Sequence, residues 1–459
     1  MLTIFAIKAV SFLVAIGILV AVHEWGHYRV AVACGVKVLR FSVGFGKTLY
    51  AWKPRRQRPG QDTEFVLGLF PLGGYVRMLD EREAPVPPAE RHRAFNTQPL
   101  WARAAIVAAG PVANLLLAVL LYAAVDWWGV QEPRPVLAPP VAGSVAEKSG
   151  LTGGEDVLRA AFDDEPLAPV QSFDDVRWLL TRAALDGHDL RLEVAQDGRR
   201  GTRELVMPLA QLRPSEADAS MFRRIGILGP LTRPELGEVV AGSPAERAGL
   251  RKGDVVVRVG DTSVVDGQQL REWIRSQASG AATTWRIERE GRSMDLQVRP
   301  EPVVEAGSSI GRVGVFVGAA PQMIEVRHGP IDGLRRAVVK TWDMSVLTVR
   351  MMGRMVVGQA SLKNLSGPLT IADVAGKSAS LGAVQFLVFL AVVSVSLGVL
   401  NLLPLPVLDG GHLMYYLWEA VTGRSVSDAW MERLQRGGVA VLLAMMSIAL
   451  FNDVARLFG

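Results

Sequence analysis

The sequence predicts a multi-spanning α-helical membrane protein whose spans are interrupted by a long segment of repeated globular modules. Nearly half of the 459 residues are hydrophobic (49%), although 21% are charged, so the apolar residues must be clustered. A nine-residue pattern also recurs inside the central segment, where Gly143–Leu151 reappears as Gly242–Leu250. A single repeat of this kind favours two tandem globular modules over a solenoid.

Four apolar stretches predict the membrane spans: Leu2–Val22, Ala104–Val125, Ala383–Leu408 and Gly437–Phe451. A helix needs about 20 apolar residues to cross the hydrocarbon, so the first three qualify directly. The fourth needs flanking residues or a locally thin bilayer. The first stretch has an alternative reading as a signal peptide, because Lys8 precedes an apolar run. Its length, and its ending in His-Glu-Trp-Gly-His instead of an early cleavage site, favour a retained span.

These spans divide the chain into nine predicted segments. They are the first span (1–28), a loop (29–99), the second span (100–126), two modules (127–220 and 221–305), an amphipathic helical segment (306–382), the third span (383–409), a loop (410–435), and the fourth span with a C-terminal tail (436–459). Both loops carry lysine and arginine close to the predicted spans, which predicts that both loops are cytoplasmic, and the long central segment is exempt from this charge rule. Both termini and the long segment between the second and third spans are then expected outside.

Composition argues against a nucleic-acid partner and excludes structures that depend on several cysteines. The net charge is only +5, and no Lys/Arg-rich tract is interleaved with aromatic residues, so nucleic acid is not expected as a partner. The single cysteine, Cys34, excludes an intramolecular disulfide framework and a cysteine-based zinc cage.

The repeated modules resemble bacterial PDZ domains. The second copy reads Gly-Ser-Pro-Ala-x-x-Ala-Gly-Leu-x-x-Gly-Asp over 242–254, typical of a short helix, a turn and a strand. The first copy departs from the final Gly-Asp step at Gly154-Glu155, so a weaker or differently shaped groove is expected there. After the modules, apolar residues at helical spacing over 330–358 predict an amphipathic helix that lies on the membrane boundary or packs on a module.

The candidate chemistry begins at the end of the first span, with His23-Glu24-Trp25-Gly26-His27. In a helix, His23 and His27 share a face, so two imidazoles can bind one metal ion while Glu24 acts on a water molecule. A charged residue at membrane depth costs about 3 kcal/mol on insertion scales, and a zinc ion is a partner that compensates such groups.

A catalytic zinc site needs a third protein ligand and an open fourth position. Asp409 is the best candidate, because it follows Pro404 and Pro406, which end regular helical hydrogen bonding near the close of the third span. Broken backbone at membrane depth survives only when it is buried in protein or lines a cavity. His412 is an alternative fourth ligand, but it would close the metal site, so a supporting role or none is favoured.

Together these motifs resemble the site-2 protease family of intramembrane zinc metalloproteases, family M50. The resemblance rests on His-Glu-x-x-His in the first span, Asn401-x-x-Pro404-x-Pro406-x-Leu-Asp409-Gly in the third, and tandem PDZ-like modules between the second and third spans. It implies one zinc ion held by His23, His27 and Asp409, with Glu24 as the catalytic acid/base. It also implies a bacterial inner-membrane enzyme with periplasmic modules, with His23–His27 near the cytoplasmic side. Its implied substrates are single-span proteins, such as an anti-sigma factor cut during envelope stress, and remnant signal peptides.

Substrate binding is predicted at two places. Leu67–Val76 is apolar and contains Gly73-Gly74, and the resemblance supports a membrane-dipping β-hairpin over about 64–78 whose edge holds an extended substrate. Its expected contact residues are Leu72, Gly73, Gly74 and Tyr75. The resemblance also assigns substrate contact to Asn401, with Pro404 and Pro406 in the same motif. The alternative for Asn401 is a hydrogen bond that staples the broken span, and for Asn114 of the second span helix packing is expected.

Three questions stay open at the level of sequence. The modules either bind a freshly cut substrate end or exclude substrates with bulky outer domains, and the resemblance favours exclusion. A non-enzymatic membrane scaffold competes with the enzyme, although a structural metal site has no use for Glu24. A metal-ion transporter is a further alternative, but one deep polar cluster among four spans offers no evident path across the membrane.

Overall fold

The computed structural model describes residues 2–196, 201–212, 219–305, 308–358 and 367–458. The chain forms two units, one from Met1–Gly129 with Arg327–Gly459 and the other from Val130–Val326. The first unit contains the long apolar helices, and the second contains the repeated modules.

The chain begins with helix α1 (Leu2–Ala33), strands β1 (Val38–Trp52) and β2 (Glu64–Met78), a short 3-10 helix (Pro88–Arg93) and helix α2 (Leu100–Trp128). Helix α1 runs past the expected end of the span at residue 28. No residue breaks it before Gly35, which has a φ of 83° that favours glycine. Helix α2 contains Pro111 in its interior and still continues to Trp128.

Strands β1 and β2 form a bent two-stranded sheet instead of a hairpin confined to 64–78. Residues 38–43 of β1 pair with 74–78 on one side and with 64–67 on the other, so both strands fold back on themselves. The bend falls at Gly44 and Gly46, which have φ values of 94° and 83°, whereas Gly73 and Gly74 have no positive φ. Gly73 and Gly74 therefore lie inside a continuous strand.

The first module contains β3 (Val130–Pro133), α3 (Val145–Lys148), β4 (Glu155–Phe162), β5 (Ala168–Pro169), α4 (Phe173–Asp186), β6 (Leu190–Gln196), β7 (Thr202–Met207) and α5 (Ala219–Ile225). Its sheet has the order β5-β4-β6-β7. Helix α4 begins where the Ser172 side chain accepts a hydrogen bond from the Asp175 amide, and it ends at Gly187 in the left-handed region. A second 3-10 helix, Leu209–Gln211, follows β7.

The second module contains β8 (Leu236–Val239), α6 (Pro244–Arg247), β9 (Val255–Val259), β10 (Thr262–Ser263), α7 (Gly267–Ser276), β11 (Thr283–Arg289), β12 (Arg292–Val298), β13 (Glu301–Glu305), β14 (Ser308–Arg312), β15 (Val315–Val317) and β16 (Met323–Val326). Its sheet has the order β10-β9-β11-β12, and fully buried Trp285 lies in its core. Strand β15 pairs with β8, while β16 pairs with β3 of the first module.

The boundaries of the modules differ from those expected at 220 and 305. Leu231 still donates a backbone hydrogen bond to Val136, so the first module includes α5 and extends past 220. Strand β15 completes a pair with β8, so the second module extends past 305. The expected helical segment 306–382 accordingly begins with strands. Such short strands carry too few residues to show a period of their own.

The departure in the first repeat does not alter the turn that it shares with the second. Glu155 accepts hydrogen bonds from the Thr152 and Gly153 amides and pairs with Arg203. At the matching place in the second repeat, Asp254 accepts from the Arg251 amide and pairs with Arg289. Glu155 therefore accepts the hydrogen bonds and forms the ion pair that Asp254 provides in the second repeat.

The chain returns to the first unit with α8 (Pro330–Val356), α9 (Pro368–Leu381), α10 (Ala383–Asn401), α11 (Asp409–Thr422) and α12 (Asp428–Phe458). Helix α8 packs on α2, with buried Ala337 in one cluster with Tyr122, while Ile331 and Trp342 are exposed. The contact with α2 explains the buried face of α8. Neither of the two expected positions, on a module or on the membrane boundary, is needed to explain that face.

Four helices in the described part of the chain are long and apolar enough to cross a membrane: Ala6–Ala33, Leu100–Trp128, Ala383–Asn401 and Ala429–Ala455. The prediction of four spans is confirmed in number and order. The third span is shorter than 383–409, because α10 ends at Asn401 before the two prolines. Helix α11 lies in the expected loop 410–435, and α12 begins at Asp428.

Candidate metal centre

Two histidine rings face each other near the end of α1. His23 and His27 are one helical turn apart, and their Nε2 atoms lie 3.2 Å from each other. The Nδ1 atom of His27 lies 2.8 Å from the backbone carbonyl of Ile106 in α2. Because a carbonyl only accepts, Nδ1 carries the proton of the neutral ring, and Nε2 keeps its lone pair free for a metal.

Asp409 reaches the same place from the other end of the chain. Helix α10 stops at Asn401, and the residues up to Leu408 fold back against the first turn of α11, which begins with Asp409. This fold-back requires glycine after the aspartate. A Cβ atom on Gly410 would lie 2.2 Å from the carbonyl oxygen of Leu403. The Leu-Asp-Gly-Gly sequence therefore fixes a carboxylate at the start of a helix beside a tight, broken loop.

The three side chains form one cluster. The Oδ2 atom of Asp409 lies 3.2 Å from Nε2 of His23 and 3.5 Å from Nε2 of His27. Their candidate ligand atoms all lie within 4.8 Å of one another, and the cluster is the one such group among the residues that the structure describes. Two imidazole nitrogens and one carboxylate oxygen are a common donor set for catalytic zinc, with a fourth position left for water or substrate.

Glu24 lies beside this cluster and against the β1–β2 sheet. Its side chain is buried, with 8% of its surface exposed. A Cβ atom on Gly74 would lie 2.7 Å from Cγ of Glu24 and 2.6 Å from the carbonyl oxygen of Ser42. Gly74 thus brings the strand backbone into direct contact with the carboxylate-bearing side chain.

Helices α1 and α2 approach closely at the histidines because both carry small residues there. A Cβ atom on Gly26 would lie 2.3 Å from the carbonyl oxygen of Ala109, and one on Gly110 would lie 2.3 Å from Nε2 of His27. Small residues permit such contact between helices in membranes. The site therefore needs glycine at position 110, because any side chain there would collide with the histidine rings. The sequence shows that Gly110 lies four residues before Asn114, but it does not show this contact.

Asn114 is the other residue whose place the sequence did not reveal. It is fully buried, and its Nδ2 atom lies 3.3 Å from Nδ1 of His23. Its backbone carbonyl accepts a hydrogen bond from the Ser394 hydroxyl of α10 at 2.7 Å. Asn114 therefore contributes to helix packing as expected, but it also touches a candidate ligand.

The residues predicted to bind substrate are spread over two elements. Asn401 is the last residue of α10, and Pro404 and Pro406 lie in the loop that leads to Asp409. A Cβ atom on Gly73 would collide with the ring of Phe45, on which Tyr75 is also stacked. The side chain of Leu72 lies outside the described residues. His412 packs its ring against Tyr415 and is not part of the cluster.

Four long apolar helices, together with a His-His-Asp cluster that has an acid beside it, are the features of a membrane-embedded metalloprotein. Comparison with known proteins agrees. The model of peptidase family M50 matches residues 11–445. A putative zinc metalloprotease of Ralstonia nicotianae is 44% identical over 98% of this chain and 99% of its own length. The regulator of sigma-E protease RseP of Escherichia coli is 39% identical over 97% of this chain and 98% of its own.

The chain therefore belongs to peptidase family M50. It is a multi-spanning zinc metalloprotease of the inner membrane, of the site-2 protease type. Membership in a peptidase family favours the enzyme over the two alternatives, a non-enzymatic scaffold and a metal-ion transporter.

Proposed function

We propose that His23, His27 and Asp409 hold the catalytic zinc ion and that Glu24 is the catalytic acid/base. The observation that carries this proposal is the convergence of three candidate ligand atoms within 4.8 Å, from two helices far apart in sequence. The fixed proton on Nδ1 of His27 supports it, because the opposite nitrogen is then ready to bind a metal. Two histidines and one carboxylate leave one coordination position open.

Glu24 moves the protons of peptide hydrolysis. Zinc, when bound, acts as a Lewis acid that makes an attacking water more acidic and polarises a carbonyl. The Glu24 carboxylate accepts a proton as water attacks the scissile carbonyl, and it then delivers that proton to the leaving amide nitrogen. Its burial against Gly74 keeps bulk water away and fixes the direction from which the water is deprotonated.

The edge of β2 is the proposed support for the substrate. A transmembrane helix hides its peptide bonds, so the substrate must unwind locally, and its freed backbone groups need partners in an apolar region. Residues 74–78 of β2 pair with β1 on one side, and Gly74 places this strand beside Glu24. An extended substrate added to its other side continues the sheet at the catalytic acid.

Exposed apolar residues suit the β1–β2 sheet to a place at the edge of the bilayer. Phe45, Leu49 and Phe70 are each about half exposed (47%, 58% and 57%). Such a surface is typical of a lipid or partner contact when it is contiguous. In this proposal the sheet dips into the membrane from the cytoplasmic side, where Gly73, Gly74 and Tyr75, together with Leu72, meet the substrate. Asn401, Pro404 and Pro406, at the end of α10 and in the loop before α11, contact the same substrate.

The biological role proposed for this chain follows its relative that is named a regulator of sigma-E protease. Its substrates are single-span inner-membrane proteins of the anti-sigma-factor type, cut during envelope stress, and also remnant signal peptides. The two modules of Val130–Val326 are PDZ domains on the periplasmic side, as are both termini, and they exclude substrates that still carry bulky outer domains.

Substitution of Glu24 by glutamine tests the catalytic assignment. The full chain, purified in detergent, is incubated with a model single-span substrate whose fragments are resolved by gel electrophoresis. Loss of the acid/base is expected to slow cleavage by about 10²–10⁴-fold, while zinc content is retained. Glu83→Gln is the matched control, since Glu83 is exposed and paired with Arg77. Cleavage by the Glu24→Gln protein at the wild-type rate would remove Glu24 from the mechanism.

A further inference from the structure

Asn114 lies beside Nδ1 of His23. Among the ring nitrogens of the two histidines, this is the one whose role as donor or acceptor is not fixed by its neighbour. The two Nε2 atoms of the histidine pair face Asp409, which makes them the metal-binding atoms. The Nδ1 proton of His27 is accounted for by the carbonyl of Ile106. For His23, the group facing Nδ1 is the side-chain amide of Asn114, and that amide has one end that donates and one that accepts.

The amide as placed does not suit a metal-bound ring. A neutral His23 that binds metal through Nε2 carries its proton on Nδ1, and the Nδ2 group of Asn114, 3.3 Å away, is also a donor. At the same time, the Oδ1 atom of Asn114 is buried without a hydrogen-bond partner among the described residues. A buried acceptor of this kind costs free energy and calls for an explanation. The oxygen and nitrogen of an amide are assigned from such networks, so their exchange is permitted.

We infer that Asn114 is a positioning residue of the zinc site, and that with zinc bound its Oδ1 accepts the hydrogen bond from Nδ1 of His23. Rotation of the amide by half a turn removes the donor–donor contact and gives the partnerless oxygen a partner. Asn114 then does for His23 what the Ile106 carbonyl does for His27. Each ring has its tautomer fixed by an acceptor on α2, with Nε2 turned toward the metal.

The unrotated amide suits the other tautomer of His23. With the proton on Nε2, His23 donates to Asp409, and its Nδ1 accepts from Nδ2 of Asn114. The same side chain therefore suits both tautomers, and its rotation accompanies the move of the proton from Nε2 to Nδ1. The backbone of Asn114 does not move in this exchange, because its carbonyl is held by the Ser394 hydroxyl.

Two substitutions separate this role from packing. Asn114→Asp keeps an acceptor opposite Nδ1 of His23, and a carboxylate is a frequent partner of a zinc-binding histidine. Asn114→Leu has a similar size but no acceptor. Zinc affinity is measured on the full chain in detergent by competition with a chromophoric chelator, independently of peptidase activity. We expect the leucine variant to bind zinc about 10–100-fold more weakly and the aspartate variant to stay within about threefold of the wild type.

The control is Ser394→Ala, which removes a hydroxyl from the same helix contact without touching the ring. Its zinc affinity is expected to match that of the wild type. Thermal unfolding of the metal-free proteins shows whether each variant is folded. If Asn114→Leu fails to fold, Asn114→Ala, which also lacks an acceptor, takes its place with the same expected loss of zinc affinity. The inference is overturned if folded Asn114→Leu binds zinc like the wild type, or if Asn114→Asp loses zinc binding.

This inference rests on the proposed zinc ligands, and a further variant keeps the two apart. His23→Ala is expected to lose zinc binding if the ligand set is correct. Retention of full zinc affinity by His23→Ala would reject the ligand set itself. Loss of zinc by His23→Ala together with wild-type affinity in Asn114→Leu would leave the ligand set standing and reject only the role of Asn114.

Discussion

Buried carboxylates occur in both units of the molecule, but their partners differ. In Val130–Val326, Glu155 and Asp254 are fully buried. Glu155 accepts hydrogen bonds from two backbone amides and Asp254 from one, and each pairs with an arginine of the same module. In the first unit, which contains the long apolar helices, Asp409 faces two histidine rings, and Glu24 is packed beside them against strand β2.

The difference shows that burial alone does not identify a functional acid. A buried carboxylate with backbone donors and an arginine has its charge compensated within the fold, so its role is to close a turn. A buried carboxylate whose neighbours are imidazole nitrogens has its charge compensated when a cation binds between them. Substitutions that remove charge and keep shape should therefore lower zinc affinity at Asp409 of the first unit and lower stability, with zinc binding unchanged, at Glu155 and Asp254.

Asp409→Asn is expected to give the largest effect. The amide keeps the size of the side chain but removes the anionic ligand, so zinc affinity and peptidase activity should each fall by at least about 100-fold. Zinc is measured by elemental analysis of the purified full chain, and cleavage by gel electrophoresis. Asp254→Asn in the second module is the matched control and should retain wild-type zinc content. Full zinc occupancy in Asp409→Asn would place Asp409 outside the ligand set.

Gly110→Ala should be nearly as damaging, for a steric reason. The added Cβ would lie 2.3 Å from Nε2 of His27 and 2.8 Å from Cε1 of His23, so both rings must move or α2 must retreat from α1. A misplaced ligand is expected to cost about 10–100-fold in zinc affinity or activity.

The matched control for this glycine is Gly17→Ala on α1, where an added Cβ meets nothing within 4 Å. Alanine is favoured over glycine inside a helix by about 0.5–1 kcal/mol, so this variant should be as active as the wild type and slightly more heat-stable. Equal zinc affinities in the two alanine variants would show that the α1–α2 contact does not position the rings.

Glu155→Gln and Asp254→Asn should lower stability without affecting the metal. Each replaces a buried charged acceptor with a neutral side chain and leaves an arginine without its full partner, so the cost is expected to be about 1–3 kcal/mol. Faster trypsin cleavage within 130–326 of the full chain measures this loss, and zinc content should not change. Zinc loss in either variant would contradict the distinction between the two kinds of acid.

The sequence predicted the spans and the shared face of His23 and His27 because their signals are strong and local. An apolar run of about 20 residues has few alternative explanations, and His23 and His27 share a helix face by spacing alone. Asp409 required a longer argument, from two prolines to broken backbone, and the structure places it with the histidines.

The contacts that the sequence did not reveal are those made between elements. The spacing of Gly110 and Asn114 is visible, but only the crossing of α1 and α2 shows that one borders both rings and the other touches His23. The place of the bend in the β1–β2 sheet was not visible for a related reason. Gly73-Gly74 has the composition of a turn, yet its glycines are needed for close approach to Phe45 and Glu24, while Gly44 and Gly46 make the bend.

The smallest expected effect concerns the ion pair that joins α2 to α11. Arg103 contacts Glu419 through two nitrogens, at 2.6 Å and 3.2 Å, and its guanidinium lies 5.1 Å from the ring centroid of Tyr416. The pair is partly exposed, so it should contribute about 0.2–1 kcal/mol and not more. Since α11 begins with Asp409, Glu419→Gln should weaken zinc affinity by no more than about fivefold, the factor that 1 kcal/mol represents. A double-mutant cycle with Arg103→Gln, read out as zinc affinity of the full chain, measures the coupling. A loss as large as that of Asp409→Asn would mean that α11 is held in register mainly by this pair, and not by the contact of Gly410 and Gly411 with the preceding loop.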